Sequence, residues 1–169
     1  STPTQGRVDR QERATAHIGW VPHDPAVYRR LTARENILLF TRLEGVEDPE
    51  SETAELLRRT DLARYADRPA GDLSTGTMQR LNVALGLAGR PVALLLDEPT
   101  ATLSPDQVNR LWTWLDELRD RDGLAVLFST QSVDEAGRYA KRMVILDHGR
   151  QVFDGTADEL VAAHGTPGT

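Results

Sequence analysis

The chain has 169 residues, 39% of them apolar and 27% charged, with a formal net charge of −6. These values fit one folded globular domain and exclude a disordered chain, and the acidic balance argues against a nucleic-acid partner. Cysteine is absent, which removes disulfides and thiolate metal sites, and no apolar run approaches the length of a bilayer span.

Ala16–Val21 reads as a strand that ends at Pro22. From Thr32 to about Ala88 the signals are helical. Thr32-Ala33-Arg34-Glu35 is a capping box, Asp48-Pro49 opens a second helix, and Asp61 is placed to cap a short third one. Gly71-Asp72-Leu73 reads as a loop. A fourth helix, Thr77 to Ala88, carries Met78, Leu81, Leu85 and Ala88 on one face.

The second half alternates strand and helix. Val92–Leu96, Leu124–Ser129 and Met143–Asp147 are short continuous apolar runs, the pattern of strands buried on both faces of a parallel sheet. Ser104-Pro105-Asp106-Gln107 caps a helix between the first two, striped by Val108, Leu111, Leu115 and Leu118. Trp112 and Trp114 flank the stripe, where packing is their simplest role. A box from Ser132 to Glu135 opens the next helix. A strand at Gln151–Phe153 comes after it, then a helix opened by Thr156 with Glu159. The alternation predicts right-handed crossovers and a layered α/β core with a mostly parallel sheet.

Two stretches carry chemistry. Asp97 and Glu98 end a predicted parallel strand, the edge where ligands of open α/β sheets bind. One carboxylate there can hold Mg²⁺ through water and the other can activate an attacking water. An acid pair after a strand is also a common surface feature. Leu73-Ser74-Thr75-Gly76-Thr77 precedes a helix and offers hydroxyls and backbone N–H groups to an anion. Taken alone, that stretch is better explained as plain N-capping by Ser74 or Thr75.

The ordered combination resembles the ATP-binding domain of ABC transporters. LSTGT stands where that family has a signature loop close to LSGGQ, and Leu73 and Asp97 lie 24 positions apart, as the family pattern expects. IGWVPHDPAVYRRLTARENILLF resembles the Q-loop and the start of the family's helical subdomain, and TATLSP its D-loop. LAVLFSTQSVDEAGRYAKRMVILDHGRQVFDGTADEL resembles the switch region with the strands and helix after it. The stretch around STQSVDEA is similar to the daunorubicin-resistance type of drug exporter.

The resemblance implies a P-loop NTPase-like fold with an inserted helical subdomain at about 26–90 and an α/β core at about 1–25 and 91–169. It implies ATP and Mg²⁺ as cofactors. Asp97 would bind the metal through water, with His23 beside it at the Q-loop position. Glu98 would be the general base, with Gln131 at the switch position. Ser74, Thr75, Gly76 and Thr77 would meet the nucleotide of a second ATP-binding domain in a head-to-tail dimer, with Ser104 at the D-loop position. Membrane-spanning permease subunits would be further partners, and the chain would lie in the cytoplasm, peripheral on the inner face of the cell membrane.

The departures are specific. His23 replaces the Q-loop glutamine and also reads as a surface histidine beside Pro22. Thr75 replaces the first signature glycine, where a β-carbon would restrict positive φ. Thr77 replaces the signature's final glutamine. Ser104 replaces an aspartate and doubles as a helix cap. Gln131 replaces a histidine and cannot carry its proton.

A phosphate loop of the Gly-x-x-x-x-Gly-Lys type does not occur in these residues, whose only lysine is Lys141. STPTQGRV resembles the stretch that comes after the loop's helix, and the chain opens at Ser1 rather than Met. An N-terminally truncated domain, inactive alone and prone to self-association through uncovered sheet, is the resulting expectation. Two other readings stay open: a degenerate, non-hydrolysing module that pairs with a competent partner, and a soluble ABC-type ATPase.

Overall fold

The computed structural model describes residues 17–164. Ala16, where the first strand was expected to begin, and the STPTQGRV stretch lie outside them.

A three-stranded parallel sheet forms the centre, in the order β1 (Ile18–Val21), β2 (Ala93–Asp97), β3 (Ala125–Ser129). Between β1 and β2 come α1 (Ala33–Leu43), α2 (Pro49–Arg59), 3-10 turns at Ala63–Tyr65 and Ala70–Asp72, and α3 (Thr75–Gly86). α4 (Pro105–Asp122) joins β2 to β3, and α5 (Val133–Tyr139) comes after β3. An antiparallel pair, β4 (Met143–Asp147) and β5 (Arg150–Gly155), leads to α6 (Ala157–His164).

The helix starts obey local chemistry. Thr32 Oγ1 accepts the Glu35 N–H at 3.1 Å while Glu35 Oε2 accepts the Thr32 N–H at 2.8 Å. Asp48 caps α2 ahead of Pro49, and Thr156 and Glu159 make the same reciprocal pair ahead of α6. One core runs from Ile37 and Leu56 through Leu81 to Leu94, Leu111 and Leu115. Trp112 and Trp114 are buried in it, and Trp112 packs against Phe128 of β3 and stacks on Tyr139 of α5.

Four expectations change. Met143–Asp147 is a strand, but among the described residues it pairs only with β5 and does not join the parallel sheet; Val144 and Leu146 are exposed. β3 is not buried on both faces either. Ile18 and Trp20 of β1 and Leu127 of β3 share an exposed face, while Val21, Leu94 and Leu96 face the helices. An apolar run specifies a strand without specifying its neighbours, so both differences have one cause. Asp61 caps no helix. It takes a left-handed φ of 53° and binds Arg80 at 3.0 Å instead, and the turn after it is headed by Leu62. The fourth helix begins two residues early, at Thr75, with Ser74 as its cap.

Candidate functional site

The register of the parallel sheet builds one cluster. β2 and β3 pair Asp97 with Ser129 at their carboxyl ends. The Ser129 hydroxyl donates to Asp97 Oδ1 at 2.6 Å and accepts the Glu98 backbone N–H at 3.0 Å. Glu98 lies past the strand end with φ +44°, a left-handed conformation rare outside glycine. This turn carries its carboxylate toward the loop after β3, where Gln131 Nε2 donates to Oε1 at 2.7 Å. His23 Nδ1 stands 3.9 Å from the other oxygen, beyond hydrogen-bond length but within ion-pair range.

α3 holds the His23 loop in place. Asn82 Nδ2 donates to the Pro22 carbonyl at 3.0 Å, and its Oδ1 accepts the Ala26 N–H at 3.2 Å. Asn36 does the same for the far end of the loop, bonding both the N–H and the carbonyl of Tyr28. Both asparagines are buried, which is costly unless every polar atom is paired. Sequence reasoning missed them; a buried-face asparagine in an otherwise apolar helix was the available signal.

The other predicted group forms a second cluster. Ser74 Oγ accepts the Thr77 N–H at 3.3 Å and shares a hydrogen bond with Thr77 Oγ1 at 2.8 Å. Thr75 is the first helical residue of α3 and does not take a positive φ, so the strain expected of its β-carbon does not arise. Gly76 leaves room for a side chain from α4. A β-carbon there would lie 2.8 Å from Gln107 Nε2. Gln107 reaches over from α4, where its Oε1 accepts the N–H of Ser104, the α4 cap, at 3.0 Å. Ser74, Gly76, Thr77 and Gln107 line a cavity of about 210 Å³ together with Asp61, Arg64, Arg80 and Arg110.

His23, Asp97, Glu98 and Gln131 are thus brought together at the sheet edge. Ser74, Thr75, Gly76, Thr77 and Ser104 gather where α3 and α4 begin, and among the described residues no hydrogen bond joins the two clusters. Among the described residues no group of three or more His, Asp or Glu side chains is arranged to enclose a metal by itself.

Comparisons with known proteins identify the family. The family described as ABC transporter matches residues 1–101. ATP-binding cassette sub-family A member 7 of Mus musculus is 37% identical over 161 residues, covering 92% of this chain and 7% of its own length. Nod factor export ATP-binding protein I of Sinorhizobium fredii is 36% identical over 154 residues, covering 90% of this chain and 45% of its own. The chain therefore spans less than half the length of these relatives. The solved structure of cbiO1 from Clostridium perfringens, described as part of the ABC transporter complex cbiONQ, superposes with a TM-score of 0.78 at 25% identity, covering 88% of this chain and 60% of that one. Family match, sheet-edge acids and fold all converge: the chain belongs to the ABC transporter family, and its residues are those of the family's α/β, ATP-binding domain.

Proposed function

We propose that the chain serves as the ATP-hydrolysing part of an exporter of drugs or other small molecules. The observation that carries this reading is the tie of Gln131, Glu98, Ser129 and Asp97 at the carboxyl edge of a parallel sheet. Mg²⁺ fits that edge, since it is held by one or two carboxylates plus substrate phosphates rather than by an all-protein cage. Asp97 would hold the metal through water, with His23 beside it. The bound metal supplies charge neutralisation at the phosphates. Glu98 takes the proton of the attacking water, and Gln131 keeps its carboxylate aimed. Ser74, Thr75, Gly76 and Thr77 meet the nucleotide of a second ATP-binding domain, with Ser104 at the same junction. The separation of the two clusters within one chain supports that head-to-tail pairing. Among the described residues no helix is long and apolar enough to cross a membrane. Membrane-spanning permease subunits supply the pathway, and the domain sits in the cytoplasm against the membrane. The Sinorhizobium relative, a Nod factor export ATP-binding protein, supports export.

The departures at His23, Thr75, Ser104 and Gln131 favour a second reading, a non-hydrolysing module beside a competent partner. Single-turnover ATPase measurements on the intact protein, with and without its partner, decide between the two. The first reading expects Glu98→Gln to retain ATP while turnover nearly stops. Unchanged turnover in that variant overturns it.

A further inference from the structure

Among the described residues, three Ser/Thr-x-x-Glu boxes head helices, and two of them close. Glu35 and Glu159 fold back onto the N–H of their own caps. Glu135 does not. Its backbone N–H is accepted by Ser132 Oγ at 3.2 Å, but its carboxylate leaves the cap and enters the interior, where the residue is buried. There Oε1 accepts from Thr100 Oγ1 at 2.6 Å and from Trp112 Nε1 at 2.9 Å, while Oε2 accepts from Thr130 Oγ1 at 2.5 Å.

The three donors come from three different segments. Thr100 stands two residues after Glu98, in the turn closed by the Ala101 N–H on the Glu98 carbonyl at 3.2 Å. Thr130 immediately precedes Gln131, and its hydroxyl also accepts the Ser132 N–H at 3.1 Å. Trp112 belongs to α4, its ring packed against Phe128 and stacked on Tyr139. A carboxylate has about four lone-pair positions, and here three are filled in a buried setting where each bond counts for more than it would in water.

We propose that Glu135 is a positioning residue of the sheet edge. By accepting from Thr100 and Thr130 at once it sets the spacing between the turn that presents Glu98 and the loop that presents Gln131. Trp112 anchors the carboxylate to the α4 face, so that spacing is referred to the core rather than to two surface loops. This inference rests on the reading of Glu98 and Gln131 as a working pair.

The test is a set of threonine variants of the intact protein, since Glu135→Leu risks the fold. Thr130→Val keeps the shape and removes the hydroxyl; Thr130→Ser restores the hydroxyl. Two readouts are taken: the ¹⁵N-resolved side-chain amide of Gln131 with the Trp112 indole N–H as an internal reference, and kcat and KM for ATP. In Thr130→Val the Gln131 amide moves to a solvent-like position while the Trp112 signal stays. kcat falls about 10-fold or more with KM within about two-fold, because misplacement rather than binding is affected. Thr130→Ser recovers both. An unmoved Gln131 amide in Thr130→Val overturns the proposal, as does a loss of kcat that tracks the melting temperature down and is not rescued by serine. If the unsubstituted protein hydrolyses no ATP, the proposed function fails, and the Gln131 amide alone then decides the positioning.

Discussion

Ser129 and Asp97 face each other across two parallel strands, and the serine hydroxyl, 2.6 Å from the carboxylate, also takes the N–H of Glu98. One side chain on β3 therefore ties the Asp97 carboxylate of β2 to the backbone of Glu98 just past the strand end. Ser129→Ala removes that link while leaving exposed groups that water can serve, so stability changes by no more than about 1 kcal/mol. Turnover is expected to fall about 10-fold through lost aim of the acids. Thermal melts and steady-state ATPase on the intact protein check it; equal activity would remove Ser129 from the site.

Gly76 admits Gln107 to the start of α3. A β-carbon at position 76 would sit 2.8 Å from Gln107 Nε2 and 3.2 Å from its Cδ. Because that neighbour is a flexible side chain, the fold survives Gly76→Ala, and the helix gains from a better former at that position. The displaced Gln107 surrenders its bond to the Ser104 N–H. The expected result is an unchanged or raised melting temperature together with reduced ATP-driven dimerisation, measured by light scattering of the intact protein with ATP. Undiminished dimerisation would show that the α3–α4 contact is packing alone.

Gly19 and Gly86 behave differently. A β-carbon on Gly19 would overlap the carbonyl oxygen of Gly86, and one on Gly86 would meet Val21 Cγ2 at 2.7 Å. Backbone cannot swing aside as a glutamine can, so Gly19→Ala forces α3 off β1 at a cost of about 3 kcal/mol or more. Urea titration of the variant should show the midpoint shifted with an unchanged slope. A shift under about 1 kcal/mol would mean that strand and helix have room to part without loss.

Acid should weaken the fold through its caps. The N–H of Thr32 holds the Glu35 carboxyl below the ordinary carboxylate range, and the N–H of Thr156 does the same for Glu159. Arg121 lowers Asp122, against burial, with Arg59 adding to it. A carboxylate depressed in the folded state contributes stability above its unfolded value and loses it as pH falls through the folded one. Melting temperature should therefore hold from neutral pH to about pH 5 and decline below about pH 4. The combined variant Glu35→Gln, Glu159→Gln, Asp122→Asn should start lower and decline less steeply. Parallel pH profiles would locate the acid response elsewhere.

The elements governed by neighbours in sequence were legible without the fold. Capping boxes at Thr32 and Thr156, the Ser132 cap, Pro105 at a helix start and the Leu111–Leu115–Leu118 stripe all depend on contacts within a few residues, so sequence alone determines them. The acids at 97 and 98 were legible for the same reason, as the end of an apolar run. Tertiary structure alone decided the non-local pairings. MVILD has the composition of a buried parallel strand, yet its hydrogen bonds run to β5, because backbone donors do not record which strand will lie beside them. Asn82 holds a loop 60 positions away, and Glu135 turns from its own cap to meet Thr100 and Trp112, because burial makes a partner obligatory while the pleat and the helix packing choose which one. Sequence offered Asp97 and Glu98 as candidates, and the family resemblance added Gln131; the register of β2 against β3 put Gln131 within reach of Glu98.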